Sequence, residues 1–256
     1  MKKYFLLIIS LVTLFNFSCT TKGEITPLEI KQAEAYRELG EAHLQTKNYT
    51  KALIKLLDAE KITPDDPIIH NDLGLVYMQK NRIDLAIEHF TKAVKLNPDY
   101  AVAKNNLGSA WCETGQWDKA IEILQELTGD LLYATPHYPL SNIGRAYYKK
   151  KNYTLAEQFY NSSLNKKPGF INARYGLAQV YIKTKREKKA MVILNNAIKQ
   201  YPKAPQLYLL VGKIYAVNEN WNNAVNTFQK VISLAPESSY AKKAQQELLK
   251  INRGEL

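Results

Sequence analysis

The chain has 256 residues, 46% of them hydrophobic and 23% charged, a composition that supports a buried core and excludes an intrinsically disordered protein. Lys and Arg number 35 against 24 Asp and Glu, a formal net charge of +11. A basic balance of this size suits an anionic lipid surface, an acidic partner or nucleic acid, and the export signal at the N-terminus sets nucleic acid aside.

That signal begins with Lys2 and Lys3 and continues as a nearly unbroken apolar stretch from Tyr4 to Phe15. A helix crossing a bilayer needs about 20 apolar residues, so the stretch is too short to span and reads as the apolar region of a secretory leader. It runs into "LFNFSCTTKG", residues 14–23, which holds Cys19, one of two cysteines. The arrangement resembles a bacterial lipoprotein leader, whose cysteine becomes the first mature residue and is acylated. Ser18 fits the small residue that precedes that cysteine, whereas Asn16 stands where the family usually has Leu and Phe17 is also unusual. The resemblance implies a signal peptide over 1–18, lipidation at Cys19, and a lipidated N-terminus and tether over 19–32. Thr20, in place of Asp, implies by the same resemblance an anchor in the outer membrane with the protein on its periplasmic face. The other reading is ordinary cleavage nearby, giving a soluble periplasmic protein. With Cys19 acylated, Cys112 has no intramolecular disulfide partner and reads as a small packing residue.

Beyond the leader the chain repeats itself. "YRELGEAH" at Tyr36 is followed by "HNDLGLVY" at His70, "KNNLGSAW" at Lys104, "LSNIGRAY" at Leu140, "RYGLAQVY" at Arg174 and "YLLVGKIY" at Tyr208. The spacings are 34, 34, 36, 34 and 34 residues, and periods in this range mark repeat architectures. A second motif recurs in step: Ala52, Ala86, Ala120, Ala156, Ala190 and Ala224, each followed four residues later by Leu56, Phe90, Leu124, Tyr160, Leu194 or Phe228. Ile143 with Tyr147, and Ala86 with Phe90 and Ala93, share helical faces. Each unit therefore reads as two amphipathic helices. Gly40, Gly74, Gly108, Gly144 and Gly212 fall inside first helices, where Gly costs about 1 kcal/mol against Ala; close approach of the paired helix is the reason for them. Pro64, Pro98, Pro168, Pro202 and Pro236 close the second helices, because the residue before proline is biased away from helical geometry.

This pattern resembles the tetratricopeptide repeat. The resemblance implies an all-α, right-handed superhelical solenoid of six helix-turn-helix repeats, at 33–66, 67–100, 101–136, 137–170, 171–204 and 205–238, closed by a capping helix and tail over 239–256. His43 and Trp111 depart from an aromatic Tyr position, and Ala178 replaces Gly in the fifth unit. The third unit is two residues longer than the others and lacks its closing proline at the usual place, reading "TGDLLYATPHYPLSNIG" from Thr128 to Gly144. This junction resembles the one between repeats three and four of the type IV pilus biogenesis and stability lipoproteins. In that family six-repeat outer-membrane lipoproteins act as pilotins, helping the pilus secretin reach the outer membrane and assemble there. The resemblance implies a secretin subunit as protein partner and a membrane contact through the lipid. The alternative is a general periplasmic tetratricopeptide scaffold for another envelope complex.

By family geometry the groove positions hold Asn71, Asp72, Asn105, Asn106, Tyr138, Asn142, Arg145, Lys149, Tyr175, Gln179 and Lys183. Carboxamides both donate and accept, so a row of them suits the backbone of an extended peptide, and aromatics add contact area. The clamp for a C-terminal carboxylate found in some relatives is not matched, since Arg37 is followed by Glu41 and the later positions hold Val102 and Asn106. No catalytic site is expected. His43, His70, His89 and His137 form no HExxH pair, there is no Gly-rich phosphate loop, and Asp65–Asp66 fit a helix cap. No metal, cofactor, nucleic acid or small-molecule substrate is expected either. The basic runs "YYKKKNY" and "KTKREKK" fall in turns, as solvated loops or as an edge toward anionic headgroups.

Overall fold

The computed structural model describes residues 25–129 and 133–255. The signal peptide, Cys19, the first part of the tether and residues 130–132 of the lengthened junction lie outside them. The described chain forms 13 helices: α1 Pro27–Gln45, α2 Tyr49–Ile62, α3 Pro67–Gln79, α4 Ile83–Leu96, α5 Ala101–Glu113, α6 Trp117–Thr128, α7 His137–Lys149, α8 Tyr153–Lys166, α9 Ile171–Lys183, α10 Glu187–Gln200, α11 Pro205–Val217, α12 Trp221–Leu234 and α13 Ser239–Arg253. They run as sequential helix-turn-helix pairs, with α13 packed on the last pair.

The pairing follows from the glycine and its partner. A Cβ added at Gly74 would lie 2.5 Å from the Phe90 ring, and one at Gly212 would lie 2.6 Å from the Phe228 ring. Gly40 meets Leu56, Gly108 meets Leu124 and Gly144 meets Tyr160 in the same way. The second helix drives one large apolar side chain onto bare backbone of the first, and the Ala four residues earlier is fully buried in every pair. Turns between paired helices repeat as well. Each has one residue in the left-handed region: Lys47, Asn81, Lys151, Lys185, Glu219, and in the third pair Gly115. The following N–H bonds back to the aromatic position of the first helix, as in Arg82 to Tyr77 and Arg186 to Tyr181, which satisfies carbonyls the helix end leaves open.

The layers are unequal. Odd-numbered helices touch their odd-numbered neighbours, α1 to α3 through α11 to α13, whereas even-numbered helices keep their backbones apart among the described residues. The odd helices thus form the inner, closer-spaced layer, and the even helices form the outer one.

Two local features depart from the regular plan. Residues 27–32, assigned to the tether from the sequence, are the first turns of α1. Thr26 caps the helix, accepting from the Glu29 backbone N–H while the Glu29 carboxylate accepts from Thr26, and Pro27 stands at the first helical position. "TPLE" is a capping box with an N-terminal proline, so the helix starts where the cap is rather than where the repeat begins. The second departure is α6, which has 12 residues where the other second helices have 14. Tyr133 packs against the core of this unit beside Leu127, and the Ser163 hydroxyl donates to the His137 carbonyl at 2.7 Å.

Candidate peptide-binding face

The inner layer brings most of the expected groove residues together. Asn71 is buried on α3, and its Oδ1 accepts from Asn106 Nδ2 of α5 at 2.8 Å. Asn105 Oδ1 accepts from Asn142 Nδ2 of α7 at 3.1 Å. The Arg145 guanidinium continues the row, donating to Ser109 Oγ at 2.9 Å and pairing with Glu113. The asparagines form a ladder, each rung reaching from one repeat to the next. A carboxamide offers two donors and two acceptor lone pairs, so one bond to a neighbour fixes its orientation and leaves capacity for a ligand.

Beside the ladder runs an apolar strip. Ile68, Val102 and Tyr138 occupy the same position in α3, α5 and α7 and are 40%, 48% and 41% exposed. The exposed Tyr138 ring lies 4.3 Å from the His137 ring between centroids, tilted by 34°, and packs edge-on to Phe170. An amide ladder flanked by exposed apolar side chains is the chemistry of an extended-peptide site, backbone on one side and side chains on the other.

The N-terminal end of this face is acidic. Asp72 is 6% exposed, takes a hydrogen bond from Asn71 Nδ2 at 3.2 Å, and has a second oxygen without a partner. Burial, and then the Glu41 carboxylate beside it, push its pKa up to about 7. Arg37 pairs with Glu41 on α1. Glu41, Leu44, Tyr49, Asp72, Leu75 and Gln79 line a cavity of about 510 Å³ at this end.

The remaining expected residues are placed differently. Tyr175 and Gln179 lie half-buried on α9, with a 3.5 Å contact between amide and hydroxyl, and burial pushes the Tyr175 phenol up to about 12. Lys149 is exposed at the end of α7. Neither α9 nor α11 extends the asparagine ladder; Leu209, Leu210 and Val211 are buried on α11. Cys112 is buried on α5, its thiol directed at the Asn142 carbonyl, and burial raises its pKa. One cluster was not anticipated: Glu60, His70 and His89 converge from α2, α3 and α4. They are 10 and 19 residues apart, and no short motif joins them. The signal available was a polar histidine on the apolar face of each of two adjacent helices.

Comparisons with known proteins agree with this architecture. Tetratricopeptide-repeat models match residues 67–100, 147–214 and 206–238, and a TPR-repeat model matches 40–81. Among curated proteins, anaphase-promoting complex subunit 7 of Arabidopsis thaliana is 26% identical over 99 residues, 39% of this chain and 18% of that protein. Protein O-mannosyl-transferase TMTC1 of Homo sapiens is 29% identical over 98 residues, 38% of this chain and 11% of that protein. The match thus spans less than a fifth of either relative. Among solved structures, PilF of Pseudomonas aeruginosa superposes with a TM-score of 0.66 at 23% identity, over 86% of this chain and 99% of that one. PilW, described as a widely conserved type IV pilus biogenesis factor, gives 0.72 at 21% identity, over 83% and 98%. A tetratricopeptide repeat protein of Parabacteroides merdae gives 0.72 at 16%, over 84% and 83%. With its paired helices, the large apolar side chain set on the first-helix glycine in the pairs that carry one, and these matches, the chain belongs to the tetratricopeptide-repeat proteins.

Proposed function

We propose that this protein is a non-catalytic, lipid-anchored factor of the outer membrane that binds the type IV pilus secretin and assists its localisation and multimer assembly. The observation that carries the reading is the two-way match in length: the solenoid corresponds to nearly the whole of PilF and of PilW, 99% and 98% of those chains. The lengthened junction after α6 and the lipoprotein-like leader support it. In this reading Cys19 carries the lipid. Several acyl chains hold a protein at a membrane where one is marginal. The inner face of α3, α5 and α7 takes an extended segment of the secretin, with the asparagines on its backbone and Ile68, Val102 and Tyr138 against its side chains.

The fold is shared with tetratricopeptide proteins of other kinds at a similar TM-score, which supports a general periplasmic scaffold as the second reading. A deletion strain separates the two. Outer-membrane fractions are run on a denaturing gel and blotted for heat-resistant secretin multimers. Loss of multimers with monomer still present, restored by the wild-type gene, is the expected result. Unchanged multimers and normal pili would reject the secretin reading and leave the scaffold. Fatty-acid labelling that disappears in Cys19→Ser is expected for the anchor; an unlabelled wild-type protein would refute it.

A further inference from the structure

Glu60, His70 and His89 meet where the first repeat packs on the second. His70 is fully buried. Its Nε2 lies 2.8 Å from the Pro64 carbonyl oxygen. A carbonyl only accepts, so Nε2 carries the proton and Nδ1 of a neutral His70 presents a lone pair. That lone pair faces His89 Nδ1 at 3.0 Å and the Glu60 carboxylate oxygen at 3.5 Å. A proton on His89 satisfies one of these contacts. In a neutral His70 the contact with the carboxylate is between two acceptors, an arrangement resolved either by a second proton on His70 or by a metal cation between them.

The dimensions suit such an ion. One ligand atom from each of the three residues lies within 4.8 Å of the others. Zinc bonds of about 2.0–2.2 Å to nitrogen and oxygen place tetrahedral ligand atoms about 3.3 Å apart, so a small movement of the half-exposed Glu60 completes the set. The His70 bond to Pro64 is the outer contact that metal-bound histidines make to a backbone carbonyl, which holds both tautomer and ring orientation. His89 is clamped by stacking, with His70 on it at 5.3 Å between centroids and Tyr77 at 5.2 Å.

We propose that Glu60, His70 and His89 form a site for a divalent transition-metal ion of the zinc type, which clamps α2 of the first repeat to α3 and α4 of the second. Two imidazoles and a carboxylate are ligands of intermediate softness, suited to zinc and its neighbours rather than to calcium or magnesium. Water supplies the fourth position.

The test uses the full-length protein in detergent, made without a histidine tag, stripped with a chelator and titrated with Zn(II) against a chromophoric competitor. One equivalent is expected to bind. His89→Gln and Glu60→Gln change partly buried residues and keep the fold, as circular dichroism checks; each removes a ligand and is expected to weaken binding by more than the roughly 10–100-fold that loss of an outer-shell partner costs. His43→Gln leaves it unchanged. The melting temperature is expected to rise with zinc in the wild type and not in His89→Gln. Co(II) bound to the wild-type protein is expected to give the intense visible bands of a four-coordinate site, a readout independent of any variant. Absence of stoichiometric binding, equal affinity in His89→Gln, or a weak octahedral Co(II) spectrum would each overturn the proposal.

Discussion

The inner layer is built differently at its two ends, although the backbone repeats. From α3 to α7 neighbouring helices are tied by polar side chains: Asn71 to Asn106, Asn105 to Asn142, and Arg145 to Ser109 and Glu113. From α9 to α13 the corresponding positions hold Tyr175 on α9 and the buried Leu209 and Leu210 on α11, with Lys213 to Glu247 as the ion pair at the edge. Apolar burial is non-directional and scales with area, so the C-terminal half is held by volume. Paired amides add little net stability but fix orientation, and they are costly to leave half-made. In the function proposed above, the N-terminal half recognises the partner and the C-terminal half supports it.

The largest effect is expected from breaking the support. Phe228→Ala removes a fully buried ring that fills the space above Gly212, and about 3–5 kcal/mol of stability is expected to be lost. Denaturant unfolding followed by hydrogen exchange is expected to show α11–α13 opening first, with α3–α7 still protected. Uniform loss of protection across the chain would contradict a division between the halves.

Asn106→Ala sharpens the comparison from the other side. It leaves the buried Asn71 oxygen without its donor, and about 1–3 kcal/mol is expected to be lost. In the double variant Asn71→Ala/Asn106→Ala the cost is expected to fall short of the sum, because the two residues satisfy one another. Partner binding is expected to be abolished in both. Additive costs with binding intact would mean that the ladder is an ordinary solvated row.

A smaller effect is expected on the outer layer. The Arg186 guanidinium holds the Glu157 carboxyl below the usual carboxylate range, through hydrogen bonds of 3.1 and 2.6 Å. A lowered pKa contributes stability above the unfolded value, and that stability is lost as pH falls through the folded value. Glu157→Gln is expected to cost about 0.5–1 kcal/mol at neutral pH and nothing in strong acid, as read from melting temperatures across pH. A constant difference would place the contribution in packing instead.

The smallest effect is expected at the turns. Lys185 has φ +56°, whereas the equivalent residue of the third repeat is Gly115 at +80°. Lys185→Gly is expected to gain less than about 0.5 kcal/mol, because relief of the Cβ clash is largely offset by the extra freedom glycine loses on folding, measured by chemical denaturation.

Much of this was legible in the sequence, because the signals were periodic. Glycine, alanine and a large apolar residue recurring in fixed register can be satisfied only by paired helices, and Ala178 in the glycine position did not obscure it. The start of α1 was missed because the repeat register, rather than the Thr26–Glu29 cap, set the boundary. The positions of the asparagines were readable; their pairing was not. Asn71 meets Asn106 and Asn105 meets Asn142, pairs 35 and 37 residues apart. These offsets differ from the repeat spacings and depend on how far successive helices are staggered. The meeting of Glu60, His70 and His89 depends on three helices at once, which no local pattern encodes.

The central claim is that the odd-helix face is the working surface. A photoreactive amino acid is placed at Val102, on that face and 48% exposed, or at Val192 on α10, 62% exposed, and living cells are irradiated. A crosslink to the secretin from position 102 and none from position 192 is the predicted result. A crosslink from position 192 alone would contradict the account and move the binding surface to the outer layer.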